Sequence, residues 1–104
     1  MPVKFYLLPR TTKNNESPIR VSVSIKYARL MTNIGYTVSE DVWANGKVTK
    51  AKYKNAKGVS ALKINERISR IEAHFNDYEL HLTKDPTRED LKKELDIALG
   101  KVEV

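Results

Sequence analysis

From Ile19 to Ile25 apolar and polar residues alternate without a break, Ile19, Val21, Val23 and Ile25 on one side and Arg20, Ser22 and Ser24 on the other. A two-residue period puts one set on a buried face and the other in water, so a half-buried strand is predicted over about residues 18–26. If Tyr27 and Ala28 form a two-residue turn, the chain returns as a second strand over about 29–37. Lys26 then meets Arg29, Ile25 meets Leu30, Val23 meets Thr32, Val21 meets Ile34 and Ile19 meets Tyr36. Every apolar residue faces an apolar or neutral one, whereas a one-residue slip would mix the two faces. Val3 to Leu8 predicts a further strand, with Val3, Phe5 and Leu7 inward and Lys4 outward.

Near Gly58 the period changes. Ala61, Ile64, Ile68, Ile71, Phe75, Tyr78 and Leu82 recur at steps of three and four, which makes one apolar stripe on a helix spanning about 59–84. Such a stripe also fits a coiled coil, but beside open strand faces it is better placed covering the sheet. Asp85-Pro86 is expected to end this helix. Thr87 and Asp90 offer a capping arrangement for a second one through Leu99, with Leu91, Leu95 and Leu99 as its seam and Gly100 as its stop. Ser39 is expected to cap a short helical turn through its hydroxyl, with Trp43 closing on the core. Residues 44–58 show no periodicity and predict a mobile basic loop with a turn at Asn45-Gly46. The fold class expected is α+β: a three-stranded antiparallel sheet packed on a long C-terminal helix, followed by a short second helix.

At 104 residues the chain suffices for one core. It has no cysteine, which removes disulfides and thiolate chemistry and suits a reducing cytoplasm. The longest apolar run, Val3 to Pro9, is too short to span a membrane and is interrupted by Lys4. A soluble, intracellular protein is expected. Charge then sharpens the picture. Residues 1–58 carry eleven Lys and Arg against three Asp and Glu, a net +8, while residues 59–104 carry eight against ten, a net −2. A polyanion rewards such clustering of cations.

Catalytic constellations are missing from the sequence. His74 and His81 lack a third metal ligand and read as lone surface histidines, so no metal is expected. No Gly-rich phosphate cradle occurs, and the acids are expected on the polar sides of the helices, where no pair of buried carboxylates can form. The expectation is a chain with no cofactor, no small-molecule substrate and no catalysis of its own.

The polar side of the predicted ribbon carries Arg20, Ser22, Ser24, Lys26, Arg29, Met31 and Asn33, with no acid among them. Solvated strand faces usually mix signs. A two- or three-stranded ribbon fits the major groove of B-DNA, where Arg and Lys reach guanine acceptors, Asn pairs with adenine, hydroxyls serve either and a Met meets the thymine methyl. Those seven residues are the candidate base contacts. Lys4, Arg10, Lys13, Lys47, Lys50, Lys52 and Lys54 are the candidate phosphate contacts, which position a protein without reading sequence.

Val3-Lys4-Phe5-Tyr6-Leu7, Pro18-Ile19-Arg20-Val21, Gly35-Tyr36-Thr37-Val38-Ser39 and Trp43, followed by a lysine-rich loop and a long helix, resemble the N-terminal arm-type DNA-binding domain of tyrosine recombinases. The similarity is to phage and conjugative-transposon integrases, particularly the Bacteroidetes type, and covers nearly the whole chain. It implies a sheet seated in the major groove of double-stranded DNA at arm sites, with other integrase protomers as further partners and a bacterial cytoplasm as the setting. By the same resemblance, residues 1–84 form the arm-type domain and 85–104 a connector toward a core-binding domain, while strand cleavage belongs to a longer parent. Two alternatives stand beside it: a double-stranded RNA-binding module, and a protein-interaction module that uses the helical stripe.

Overall fold

The computed structural model describes residues 2–9 and 15–101. Three antiparallel strands, β1 (Val3–Leu7), β2 (Glu16–Ile25) and β3 (Ala28–Ser39), form a sheet in the order β1-β2-β3. A single 3-10 turn over Glu40–Val42 leads into a small hairpin of β4 (Trp43–Ala44) and β5 (Lys47–Val48), and the helices α1 (Ala61–Leu80) and α2 (Arg88–Ala98) follow. The chain is thus an α+β protein of the expected architecture, with a second, two-stranded sheet added.

Alternation on β2 sorts the faces as expected. Ile19, Val21, Val23 and Ile25 are buried with Leu30, Ile34 and Val38 of β3, and Val3 of β1 joins them. Against that side the helix contributes Ala61, Ile64, Ile68, Ile71 and Phe75, so the stripe lies inside the fold and is not an outward seam. α1 packs on β1 and β5, while α2 packs on β3 and α1. Leu91, Leu95 and Ala98 of α2 belong to the same core cluster as the sheet, so α2 packs into the common core.

The β2–β3 register differs from the expected one at the hairpin end. Ile25 pairs with Ala28, Ser24 with Arg29, Val23 with Leu30, Ser22 with Met31, Val21 with Thr32 and Arg20 with Asn33, so the two-residue turn is Lys26-Tyr27 instead of Tyr27-Ala28. The expected pairing would have set Lys26 directly against Arg29, and like charges opposite each other destabilise a sheet. The observed one puts Ser24 there and buries Ala28. Beyond an irregularity between Pro18 and Arg20, Pro18 pairs with Thr37 and Ser17 with Val38, which is the register read from the sequence. Two extra residues of β3 are absorbed there, where Gly35 has φ +96, a conformation that side chains rarely adopt.

The ends of the helices are set locally. Ser60 accepts from the Lys63 N–H and starts α1, which ends at Leu80, short of the expected 84. His81 leaves helical geometry, and residues 82–87 turn the chain so that α2 can return against α1. Leu82, the last member of the stripe, lies past the helix end yet still packs against the core. Thr87 and Asp90 form a capping box, each side chain accepting from the other's backbone N–H at 3.2 and 2.9 Å. The Thr87 N–H holds the Asp90 carboxyl below its ordinary value, with the Thr87 hydroxyl, Lys84 and Lys93 adding to that effect and desolvation opposing it. At the other end Gly100 donates to Ile97 and Lys101 to Asp96, a Schellman closure. Ser39 precedes the 3-10 turn but its hydroxyl makes no capping bond; its backbone N–H instead donates to the Tyr53 hydroxyl.

Candidate nucleic-acid interface

The side of the sheet opposite the core is built from three cross-strand rows. Ser24 lies beside Arg29; Lys4, Ser22 and Met31 form the next row; Tyr6, Arg20 and Asn33 form the third. Lys4, Ser24, Arg29, Met31 and Asn33 are exposed, and Tyr6, Arg20 and Ser22 are half-buried. Six of the seven expected base-contact residues therefore share one surface. Lys26 does not, because the turn has moved onto it. It sits at the hairpin tip with φ +57 beside Tyr27, whose side chain is 96% exposed.

The register also revises two roles. Lys4, expected at a phosphate, stands in the middle row with Ser22 and Met31. Tyr6, which the sequence reading passed over, shares the row of Arg20 and Asn33. The outward assignment of Lys4 was the signal for it, since residues two apart on a strand point the same way. Arg20 lies along the sheet: its Nη2 donates to the Met31 carbonyl at 3.3 Å, and its Nε is buried without a partner.

An acid does lie on this side of β2. By strand alternation Glu16 falls with Arg20 and Ser22, but it is only 6% exposed. Its carboxylate accepts from the Thr37 hydroxyl at 2.8 Å, the Tyr53 hydroxyl at 3.0 Å and the Ala56 N–H at 2.8 Å. Burial raises the Tyr53 hydroxyl above its ordinary pKa; the N–H of Ser39 opposes this and the charge of Glu16 adds to it, so Tyr53 remains a donor. The segment expected to be mobile is tied down at this point. Asn55 donates from Nδ2 to the Thr37 carbonyl and accepts at Oδ1 from the N–H groups of Lys57 and Val59. Lys50, Lys52, Lys54 and Lys57 project from this clasp into solvent at the end of the sheet away from the hairpin tip.

Lys47 is carried on the β4–β5 hairpin, whose turn is Asn45-Gly46 as expected, with φ +55 and +78. That hairpin is fastened to α1 by Asn65, which donates to the Val48 carbonyl and accepts from the Val48 N–H. Gly46 comes close to the Phe5 backbone, so Lys47 stands on the β1 side of the sheet. Arg10 and Lys13, the remaining expected phosphate contacts, lie outside the described residues.

Charge pairing divides the molecule. Ion pairs among the described residues join His74 to Glu94 at 2.7 Å, His81 to Asp77 at 3.4 Å and Lys92 to Asp96 at 2.8 Å, all between residues 74 and 96. His74 is thus no lone surface histidine: it donates from Nε2 across the α1–α2 contact. Lys4, Arg20 and Arg29 form no such pair. A concavity of about 550 Å³ is lined by Asn45, Gly46, Lys47, Asn65, Ile68, Ser69 and Glu72. No group of three His, Asp or Glu among the described residues is placed to hold a metal, and no helix among them is long and apolar enough to cross a membrane.

No protein-family model matches the chain, and no curated protein or solved structure is detectably similar to it.

Proposed function

We propose that this chain is a double-stranded DNA-binding module that seats the outer face of its sheet in the major groove. One observation carries the proposal: Lys4, Arg20 and Arg29 share the outer face of the sheet with Ser22, Ser24 and Asn33, none of these cations forms an ion pair among the described residues, and Glu16, the acid of β2 on that side, is buried. Three strands about 4.8 Å apart span roughly 10 Å, which suits a groove about 12 Å wide. The rows from Ser24 to Arg20 cover about 14 Å along the strand, or roughly four base-pair steps of 3.4 Å. Arg29 and Asn33 are free to meet base edges. For Arg20 the unpartnered Nε makes its present position costly, and a guanine acceptor rewards its release. Lys47 and the lysines of the clasped loop meet phosphates.

The likeness of the sequence to arm-type domains of tyrosine recombinases supports a role in DNA integration or recombination, anchoring a longer integrase at arm sites in a bacterial cytoplasm while other domains perform the chemistry. The buried helical stripe favours this over an interaction module built on that stripe. Titrations with DNA and RNA duplexes at several salt concentrations test the proposal. Five or six phosphate contacts give a log–log slope of roughly −5 on B-DNA. A flat salt response, or tighter binding to duplex RNA, overturns it.

A further inference from the structure

We propose, on the footing of the DNA-binding role above, that Lys63, Arg67 and Arg70 of α1, together with Tyr36 of β3, form a second contact surface that grips the sugar-phosphate wall along the β3 edge of the sheet. The three cations stand four and three residues apart, on one line of the helix. With Tyr36 and Glu66 they line a single concavity of about 110 Å³. Three positive charges against one negative leave it at +2. None of the four charged groups takes part in an ion pair among the described residues, although Glu66 is within helical reach of Lys63 and Arg70.

Arg67 is held ready. Its Nη1 donates to the Ile34 carbonyl at 2.9 Å and its guanidinium lies 4.2 Å above the Tyr36 ring. Gly35 makes room for it, since a Cβ there would stand 3.2 Å from Nη1. A guanidinium carries five donors in a fixed fork suited to phosphate oxygens, and its bond to Ile34 occupies only one edge.

Height decides what this row can touch. Elements packed face to face lie about 10 Å apart, and the major groove is about 8.5 Å deep. When the outer face of the sheet reaches the base edges, the flank of α1 beside β3 stands level with the phosphates. Lys47 occupies the opposite flank, beside β1, so the domain grips both walls. The helix row sets depth and orientation and reads no bases.

The test is a fluorescence titration of the K63Q/R70Q double variant, which removes no hydrogen bond seen in the structure, on two probes. One is a duplex of random sequence and the other a duplex enriched from a random pool by the unaltered protein. The expected result is binding weaker by about tenfold per lost contact at 0.1 M salt on both duplexes, with a log–log slope shallower by about 2. The preference for the enriched duplex and the thermal midpoint stay unchanged. Unaltered affinity and slope in this variant, while Arg29→Ala still weakens the enriched duplex, removes the helix row and leaves the sheet interface standing. An unaltered protein that binds neither duplex removes both.

Discussion

The outer face of the sheet and the α1–α2 contact handle charge in opposite ways. In the helical half, cations and acids alternate and several join: His74 with Glu94 across the helix contact, Lys92 with Asp96 along α2, Asp90 with the Thr87 backbone. On the sheet, Lys4, Arg20 and Arg29 stand without carboxylate partners, and Glu16 is enclosed by three neutral donors. Paired charges stabilise a surface modestly, whereas unpaired ones of one sign repel and favour a polyanion. The α1–α2 contact thus pairs its charges within the fold, whereas the outer face of the sheet leaves its cations unpaired.

Variants can break this contrast, and the largest effect lies in the shared core. Phe75→Ala, at a fully buried position, is expected to lower stability by about 3–5 kcal/mol in urea unfolding. A change below 1 kcal/mol would mean that α1 does not support the sheet. Next is Glu16→Ala, expected to cost about 2–3 kcal/mol because the donors on Thr37, Tyr53 and Ala56 lose their acceptor. Hydrogen exchange at Ala56 and Lys57 should rise with it; an unchanged rate there would show that the clasp does not order the loop.

Arg29→Ala should weaken a preferred DNA duplex by about 1–3 kcal/mol while leaving unfolding within about 0.5 kcal/mol of the parent. Equal losses on preferred and random duplexes would deny Arg29 a part in base reading. Lys92→Ala, on the paired side, should change stability by only about 0.3–0.5 kcal/mol and leave DNA binding unaltered.

The smallest effect is alkaline. Burial raises the Tyr78 hydroxyl above the ordinary value, and the charges of Asp90 and Glu94 add to the rise. A tyrosine whose folded pKa exceeds its unfolded one, about 10, contributes stability that is complete below that pH and lost as pH climbs through the folded value. The unfolding free energy should therefore decline above about pH 10, more shallowly in Tyr78→Phe. Matching declines in both proteins would exclude Tyr78 as a source.

Much of the outer sheet face was legible in the residues alone. Alternation along β2 assigned Arg20, Ser22 and Ser24 to one side, and the sides survive the register change because a shift of two residues preserves parity where a shift of one reverses it. For the same reason periodicity could not locate the turn. Lys26 left the face through a choice between two pairings with identical patterns, decided by the Lys26–Arg29 repulsion and by the room for extra residues at Gly35. The fastening of the loop is invisible to local periodicity because the bonds of Tyr53, Asn55 and Ala56 run to Glu16 and Thr37, far away in the chain.

What the chain order alone determined has a short period: strand faces, the stripe of α1, the capping box at Thr87 and the Asn45-Gly46 turn. Each depends on residues within a few positions of one another, so local sterics and hydrogen bonding suffice. Folding in three dimensions decided the enclosure of Glu16, the seating of Arg67 over Tyr36, the union of α2 with the common core and the isolation of the sheet's cations. Those depend on which distant groups meet, and burial energies summed over the whole core settle that question.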